Sequence, residues 1–204
     1  MSIPAPARLS PEERRDELLR AAMKVFAEKG YQQTSVADIL EGAGVARGTF
    51  YRYFDSKKDC FSQALDKFIA RIRGPIRELD MSRPLAEPEL IELYRRVAGL
   101  MVSDPLDREF SRVVLAEASG SEREFRRKLL KFYEEVTEMT AGFLRAAMES
   151  GRARKLDPET TARCILGMVK EVVLTWAERS DDRQELLPMV MTVMEFAFYG
   201  LLPR

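Results

Sequence analysis

The stretch Thr34 to Lys58, TSVADILEGAGVARGTFYRYFDSKK, decides how this chain folds. Ser35 can cap a short helix that runs to about Glu41, and Asp38 completes the cap. The run Gly42-Ala43-Gly44 then forms a tight turn before a second short helix from about Ala46 to Tyr53. Two short helices joined by a glycine-containing turn predict a helix-turn-helix.

The second short helix has an outer side that predicts contact with DNA. Arg47 and Tyr51 lie one turn apart on it, as do Thr49 and Tyr53, and Gly48 between them lets the backbone approach a strand closely. Such a helix can enter a major groove, where an arginine donates to guanine. The apolar positions that hold it from within are Ile39, Leu40, Val45, Phe50 and Phe54. Spacing alone leaves an alternative, in which the aromatic residues are simple core.

Helices flank this stretch on both sides. Ser10-Pro11-Glu12-Glu13 is a helix start with a capping box, and Gly30 ends that helix. Asp55-Ser56 caps a fourth helix that continues to about Arg73. Gly74-Pro75, together with residues 80–88, marks a boundary. Beyond it apolar residues recur at spacings of three and four, which predicts helices and no strands. The stripe on the longest of them is Phe125, Leu129, Phe132, Val136, Met139, Phe143 and Ala147.

Composition excludes several classes of function. The 204 residues contain no histidine, so Ser-His-Asp and Cys-His catalysis and histidine-containing zinc sites are ruled out. Cys60 and Cys164 show neither a disulfide framework nor metal-ligand spacing. Both are expected to be buried apolar residues, and the alternative is a redox-sensing thiol. The net charge is zero, but residues 1–73 hold 13 Lys/Arg against 10 Asp/Glu, and the remainder 20 against 23. No signal segment follows Met1, so a cytoplasmic protein is expected.

The stretch from about Arg14 to Ile69 resembles the N-terminal domain of the TetR family of bacterial regulators. The run that carries the resemblance is FAEKGYQQTSVADILEGAGVARGTFYRYFDSKKDCF, residues 26–61. By this resemblance the DNA-contacting residues are Thr34 or Ser35, Arg47, Gly48, Thr49, Tyr51, Arg52, Tyr53 and Lys57. We expect Arg47 and Tyr51 to read base edges, and Thr49, Tyr53 and Lys57 to hold phosphates. Arg52 either contacts a phosphate or lies in solvent at the edge of the DNA-contacting surface. The family often has histidine where this chain has Tyr53, whose hydroxyl can also reach a phosphate.

The resemblance implies an all-α protein with a DNA-binding domain and a larger helical domain for dimerisation and effector binding. The expected organisation is a mobile tail over residues 1–9, a three-helix DNA-binding domain with its connecting fourth helix over 10–73, and the helical body over 74–204. The last helix, from about Asp182 to Gly200, is apolar on nearly all sides. With the helix of residues 158–179 it is expected to form a homodimer interface. The alternative is that both are core helices of a monomer.

The expected function is a repressor released from palindromic double-stranded DNA by a small hydrophobic effector, with no cofactor. Candidate effector-binding residues are Tyr94, Met101, Phe110, Glu117, Phe132 and Trp176, although such stripes are also typical of plain core. Two alternatives stay open. One is a DNA-binding protein that acts by architecture or through a protein partner, without an effector. The other is a helical enzyme or carrier, but no convergent set of carboxylates or lysines at helical spacing supports it.

Overall fold

The computed structural model describes residues 10–78, 86–102, 110–111, 113–114, 122–179 and 182–201. The helices are α1 (Pro11–Lys29), α2 (Val36–Ala43), α3 (Arg47–Tyr51), α4 (Lys57–Arg77), α5 (Glu87–Val102), α6 (Arg123–Glu149), α7 (Pro158–Arg179) and α8 (Leu186–Leu201). All regular structure in the described ranges is helical, which confirms the all-α class. The tail expected to be mobile, residues 1–9, lies outside those ranges. No described helix is long and apolar enough to cross a membrane.

The chain forms two compact units, one within residues 1–66 and the other within residues 67–204. Helix α4 contributes residues to both units, because it begins at Lys57 and ends at Arg77. The sequence places the domain boundary after residue 73, and that boundary stays a prediction.

Two capping boxes fix the ends of helices in the first unit. The amide of Glu13 donates to Ser10 Oγ at 3.2 Å, and the Ser10 amide donates to the Glu13 carboxylate at 2.7 Å. Ser35 and Asp38 repeat this arrangement at the start of α2, with distances of 3.2 and 2.7 Å. Both caps were expected from the sequence and are confirmed.

The ends of α2 and α3 differ from the sequence prediction. Helix α2 continues to Ala43, and Gly44 alone adopts the left-handed conformation, with φ of 60°, that ends it. Gly42 is therefore a helical residue, and a Cβ there would lie 2.8 Å from Val25 Cγ2 of α1. Glycine at this position lets α2 pack closely on α1. Helix α3 is shorter than expected and covers only Arg47–Tyr51.

Helix α4 passes through the Gly74-Pro75 pair, which the sequence pattern indicates as a boundary. It ends at Arg77, and Pro75 lies inside it. Proline cannot donate the helical hydrogen bond at this position, which normally weakens a helix. Here Pro75 is buried, so packing in the second unit offsets the missing hydrogen bond.

The buried side of α6 changes along its length. Its first half buries Phe125, Leu129 and Phe132, as the apolar stripe predicted. Its second half buries Thr137, Ala141, Leu144 and Met148 instead, and the predicted Val136, Met139, Phe143 and Ala147 are only partly buried. The reason is a cluster of small residues from neighbouring helices, which covers that half of α6 and includes Ala162 and Ala197.

A hydrogen bond ties the end of α7 to the turn that precedes α8. Trp176 is fully buried, and its indole N–H donates to the carbonyl of Asp182 at 3.1 Å. Residues Arg183–Glu185 form a 3-10 turn, so α8 begins at Leu186 rather than near Asp182 as predicted.

Candidate DNA-binding site

The inner side of α3 anchors it in the first unit. Phe50 is fully buried, and its ring centroid lies 5.2 Å from that of Phe54. Ile39 of α2 is also fully buried. Of the other apolar positions expected to hold α3, Leu40 and Val45 are partly buried. The anchoring of α3 from within therefore follows the sequence prediction closely.

The outer side of α3 presents the residues that the sequence singles out for DNA. Arg47, Gly48, Tyr51 and Arg52 are exposed, while Thr49 and Tyr53 are half-buried. The Arg47 guanidinium carbon lies 5.6 Å from the centroid of the Tyr51 ring, whose residue is 44% exposed. This cation–π contact places the two candidate base-reading side chains next to each other on the exposed side of α3.

Thr34 and Ser35 have different surroundings at the start of α2. Thr34 is only 2% exposed, and its hydroxyl donates to the Gly30 carbonyl at 2.8 Å. Its side chain therefore secures the turn after α1 and faces away from solvent. Ser35 is exposed and caps α2. Of the two alternatives that the resemblance leaves open, Ser35 is the one on the surface.

Lys57 is held by the turn that follows α1. Its ammonium group donates to the carbonyl of Tyr31 at 2.9 Å and lies 4.5 Å from the centroid of that ring. A second donation, at 3.4 Å, reaches the carbonyl of Gln32. In the free protein Lys57 thus links the start of α4 to this turn. The phosphate contact expected for it stays a prediction.

An ion pair joins α1 to α2, and the sequence pattern did not indicate it. Lys29 Nζ lies 2.5 Å from the Asp38 carboxylate, which also accepts from the amide and the hydroxyl of Ser35. These donors, led by Lys29, hold the pKa of Asp38 well below its ordinary value of 3.8. The pair orients the helix that precedes the reading helix. Both residues stand in the sequence, but their spacing alone does not indicate the contact.

Low pH is expected to reduce the stability of the first unit because it protonates the Asp38 carboxylate. Because its pKa is lower in the folded chain, this carboxylate stabilises the fold above about pH 4 and loses that contribution as the pH falls further. We expect Asp38→Asn to flatten the acid side of the stability curve. Urea denaturation between pH 2 and pH 7 measures this, with Asp16→Asn as the control. Parallel acid-side curves for the wild type and the Asp38 variant would contradict it.

Gly48 provides a test of close backbone approach to DNA. A Cβ at Gly48 would meet no atom within 4 Å, whereas one at Gly42 would press on Val25. Gly48→Ala should therefore leave stability unchanged or raise it by up to about 1 kcal/mol, yet weaken operator binding about tenfold because the methyl group meets the DNA. Gly42→Ala should instead lower stability, since overpacking costs roughly 1–3 kcal/mol. Thermal denaturation and a gel shift separate the two effects, and full operator binding by the Gly48 variant would contradict close approach.

The candidate effector-binding residues that the structure describes come from several segments of the second unit. Phe110, Phe132 and Trp176 are buried, and Trp176 is committed to its hydrogen bond with Asp182. Tyr94 remains partly exposed to solvent. Burial by the surrounding protein raises the pKa of its hydroxyl to about 12. The side chain of Met101 and all of Glu117 lie outside the described residues. A surface cleft of about 310 Å³ is lined by none of these six; its residues are Glu134, Thr137, Glu138, Ala141, Arg145, Glu159 and Arg163.

The two cysteines have opposite environments. Cys60 is buried, and burial raises the pKa of its thiol to about 12, so it behaves as a small apolar residue. Cys164 is exposed on α7. The expectation that both are buried is therefore wrong for Cys164, because none of the described helices covers its side of α7.

An anchored short helix with an exposed basic and aromatic side, preceded by a capped helix and a glycine turn, defines a helix-turn-helix DNA-binding protein. Comparison with known proteins agrees. The profile of the bacterial regulatory proteins of the tetR family matches residues 18–64, and that of the tetracyclin repressor-like C-terminal domain matches residues 104–201. The chain belongs to the TetR family of DNA-binding transcriptional regulators.

Two relatives and one solved structure illustrate the relationship. The fatty acid metabolism regulator protein of Bacillus subtilis is 28% identical over 190 residues, which are 91% of this chain and 94% of that protein. The structure of the regulator FadR from Bacillus subtilis in complex with stearoyl-CoA is 27% identical, covers 91% of this chain and 98% of its own, and has a TM-score of 0.68. The transcriptional repressor KstR2 of Rhodococcus jostii is 41% identical over 66 residues, 32% of each chain.

Proposed function

We propose that this protein is a homodimeric repressor that binds a palindromic operator and is released from it by a fatty acyl-CoA ester. The observation that carries the DNA-binding part is the exposed Arg47–Tyr51 pair on a reading helix anchored by Phe50. The repressor assignment is supported by the likeness of 66 residues of this chain to a named repressor. Such a protein acts in the cytoplasm, where the operator DNA is.

Each residue on the outer side of α3 has a proposed role. Arg47 and Tyr51 read base edges in the major groove. Thr49 and Tyr53, being half-buried, offer their hydroxyls to phosphates at the edge of the helix. Arg52 adds a phosphate contact, and Ser35 contacts the backbone from the start of α2. Lys57 donates one ammonium N–H to the Tyr31 carbonyl. To bind a phosphate as well, it uses another of its three N–H donors.

The second unit supplies the proposed dimer interface. Thr192, Phe196 and Tyr199 of α8 share one side of the helix, and Phe196 and Tyr199 are 70% and 66% exposed. On α7 the exposed residues Cys164, Gly167 and Glu171 also share one side. Two large aromatic side chains left in water indicate that another surface covers them. A two-fold arrangement of α7 and α8 from two copies covers both sides and presents two reading helices to one duplex.

The effector class is inferred from the relatives together with the apolar content of the second unit. A regulator that is 27% identical to this chain was solved with stearoyl-CoA, and the match spans almost the whole of both chains. The candidate residues for the acyl chain are Tyr94, Met101, Phe110, Phe132 and Trp176, with Glu117 as an orienting group. We propose a long acyl chain for the apolar part of the ligand.

A contact between α4 and α6 offers a path from effector to DNA. Arg73 of α4 lies 2.6 Å from the Glu135 carboxylate and 6.0 Å from the centroid of the Phe132 ring, both on α6. Arg73 Nε is buried and has no hydrogen-bond partner among the described residues. An arginine that is only partly satisfied can exchange partners when α6 moves. Since α4 also supplies residues to the first unit, this ion pair couples the two functions in our proposal.

Operator binding and release test the proposal. DNA upstream of the chain's own gene should be bound in a gel shift, with affinity falling roughly a thousandfold between about 50 and 200 mM salt. Stearoyl-CoA should release the DNA, and stearate should not. Absence of binding to any upstream fragment would reject the repressor. Binding that no acyl-CoA of any chain length reverses would favour the effector-independent alternative.

A further inference from the structure

The first half of α6 carries a strongly basic surface that the DNA-binding site does not use. Arg123, Arg127 and Lys131 follow one another at intervals of four residues, and Arg126 lies beside them. All four side chains are exposed. We call these four residues the α6 basic surface. They span about 12 Å along the helix axis, and the next charged residue on that side is Glu134.

These four cations have no ion-pair partner in the part of the chain that the structure describes. Among the residues that the structure describes, none of the four side chains forms an ion pair, whereas Lys128 on the next side of the helix has a partner. This concentration of positive charge is unexpected, because residues 74–204 as a whole are slightly acidic, with 20 Lys/Arg against 23 Asp/Glu. Four unpaired cations in one place repel one another, so a site of this kind favours an anion with several charges.

The surface also has an apolar centre. Leu130 lies between Arg126, Arg127 and Lys131, and it is 54% exposed. A leucine among arginines suits a ligand that combines phosphates with a flat aromatic ring, because guanidinium groups bind phosphate in a bidentate manner and also stack on aromatic faces. Duplex DNA offers its phosphates but keeps the faces of its bases stacked. It can therefore accept the phosphate contacts of these arginines but not their stacking contacts.

We propose that the α6 basic surface binds the 3′-phosphoadenosine 5′-diphosphate head of the coenzyme A ester. This inference rests on the proposed function and names the part of the chain that receives the anionic end of the effector. The opposite side of the same turns buries Phe125, Leu129 and Phe132. A helix is about 10–12 Å across, and the extended pantetheine arm is longer than that. The acyl chain can therefore enter the apolar interior behind α6 while the nucleotide stays outside it.

The test compares two triple variants. One is Arg123→Gln/Arg127→Gln/Lys131→Gln on the α6 basic surface. The other is the control Arg152→Gln/Lys155→Gln/Arg179→Gln, which removes the same charge at exposed positions elsewhere in the second unit. Calorimetry measures binding of stearoyl-CoA, of its 3′-dephospho form and of stearate, and thermal denaturation confirms that each variant is folded.

We expect the first variant to bind stearoyl-CoA about tenfold or more weakly than the wild type, and the control to match the wild type. The wild type should prefer stearoyl-CoA over the 3′-dephospho form, and the first variant should lose that preference. Equal binding of stearoyl-CoA by all three proteins would overturn this inference while the proposed effector stands. Failure of the wild type itself to bind stearoyl-CoA would overturn both. Tighter binding of single-stranded oligonucleotides than of coenzyme A to this surface would also overturn it.

Discussion

Phe196→Glu is expected to leave the chain monomeric and to abolish tight operator binding. Phe196 is 70% exposed on α8 and is the most exposed aromatic side chain among the described residues. Burying a phenylalanine at an interface stabilises it by about 1.5–3 kcal/mol, and a dimer buries two. A carboxylate in its place removes that contribution and adds the cost of burying two like charges. The dimer dissociation constant should therefore rise by at least about a hundredfold.

Analytical ultracentrifugation gives the mass directly, and a gel shift gives operator affinity. Leu130→Glu is the matched control, because Leu130 is similarly exposed but belongs to α6. It should leave the mass at that of two chains. Since a monomer reads only one half-site, operator binding by the Phe196 variant should fall with its mass. A dimeric Phe196 variant would show that α8 does not form the interface.

Arg47→Ala is expected to produce the largest loss of operator affinity among single changes on α3. A good arginine–guanine pair contributes roughly 1–3 kcal/mol, and the dimer makes it twice. The loss is then about 2–6 kcal/mol, which is at least about thirtyfold in affinity. Stability should stay within about 0.5 kcal/mol, because Arg47 is exposed and its cation–π contact with Tyr51 lies at the surface.

Specific and nonspecific DNA distinguish base reading from general charge. Arg47→Ala should lose affinity for the operator far more than for a scrambled duplex, and Tyr51→Ala should behave in the same way. Arg20→Ala, at an exposed arginine of α1, should bind the operator as the wild type does. If neither the Arg47 variant nor the Tyr51 variant changes operator binding, α3 does not read the operator in the way we propose.

The local signals in the first unit were sufficient to predict the presence and order of its helices, although several of their ends differ from the prediction. Ser10, Ser35 and Gly44 each set an end through their own chemistry, as capping residues or as a left-handed glycine. The second unit was harder to predict. Small residues such as Ala141 and Ala162 are buried because neighbouring helices approach closely there, and periodicity of large apolar residues does not reveal that. Pro75 was expected to end the helix before it, and that prediction was wrong for a similar reason. Tertiary packing overrode the local preference of proline against a helix interior.

The candidate site was predictable where one helix supplies it and unpredictable where distant segments meet. Arg47, Thr49 and Tyr51 follow from the periodicity of one short helix. The bond from Lys57 to the Tyr31 carbonyl and the pair between Lys29 and Asp38 join segments whose approach depends on the fold. The basic run on α6 is visible in the sequence, but its significance depends on which charges remain unpaired.

The bond between Trp176 and Asp182 gives the protein a built-in optical reporter. This is the chain's single tryptophan, and it is fully buried in the second unit. Its emission should begin in the blue and shift to the red only when that unit opens, whatever happens to the reading helix. The first unit contains no tryptophan, so its aromatic residues, such as the buried Tyr31, do not contribute to this emission. Fluorescence and circular dichroism recorded together can therefore tell whether the two units melt as one or in sequence.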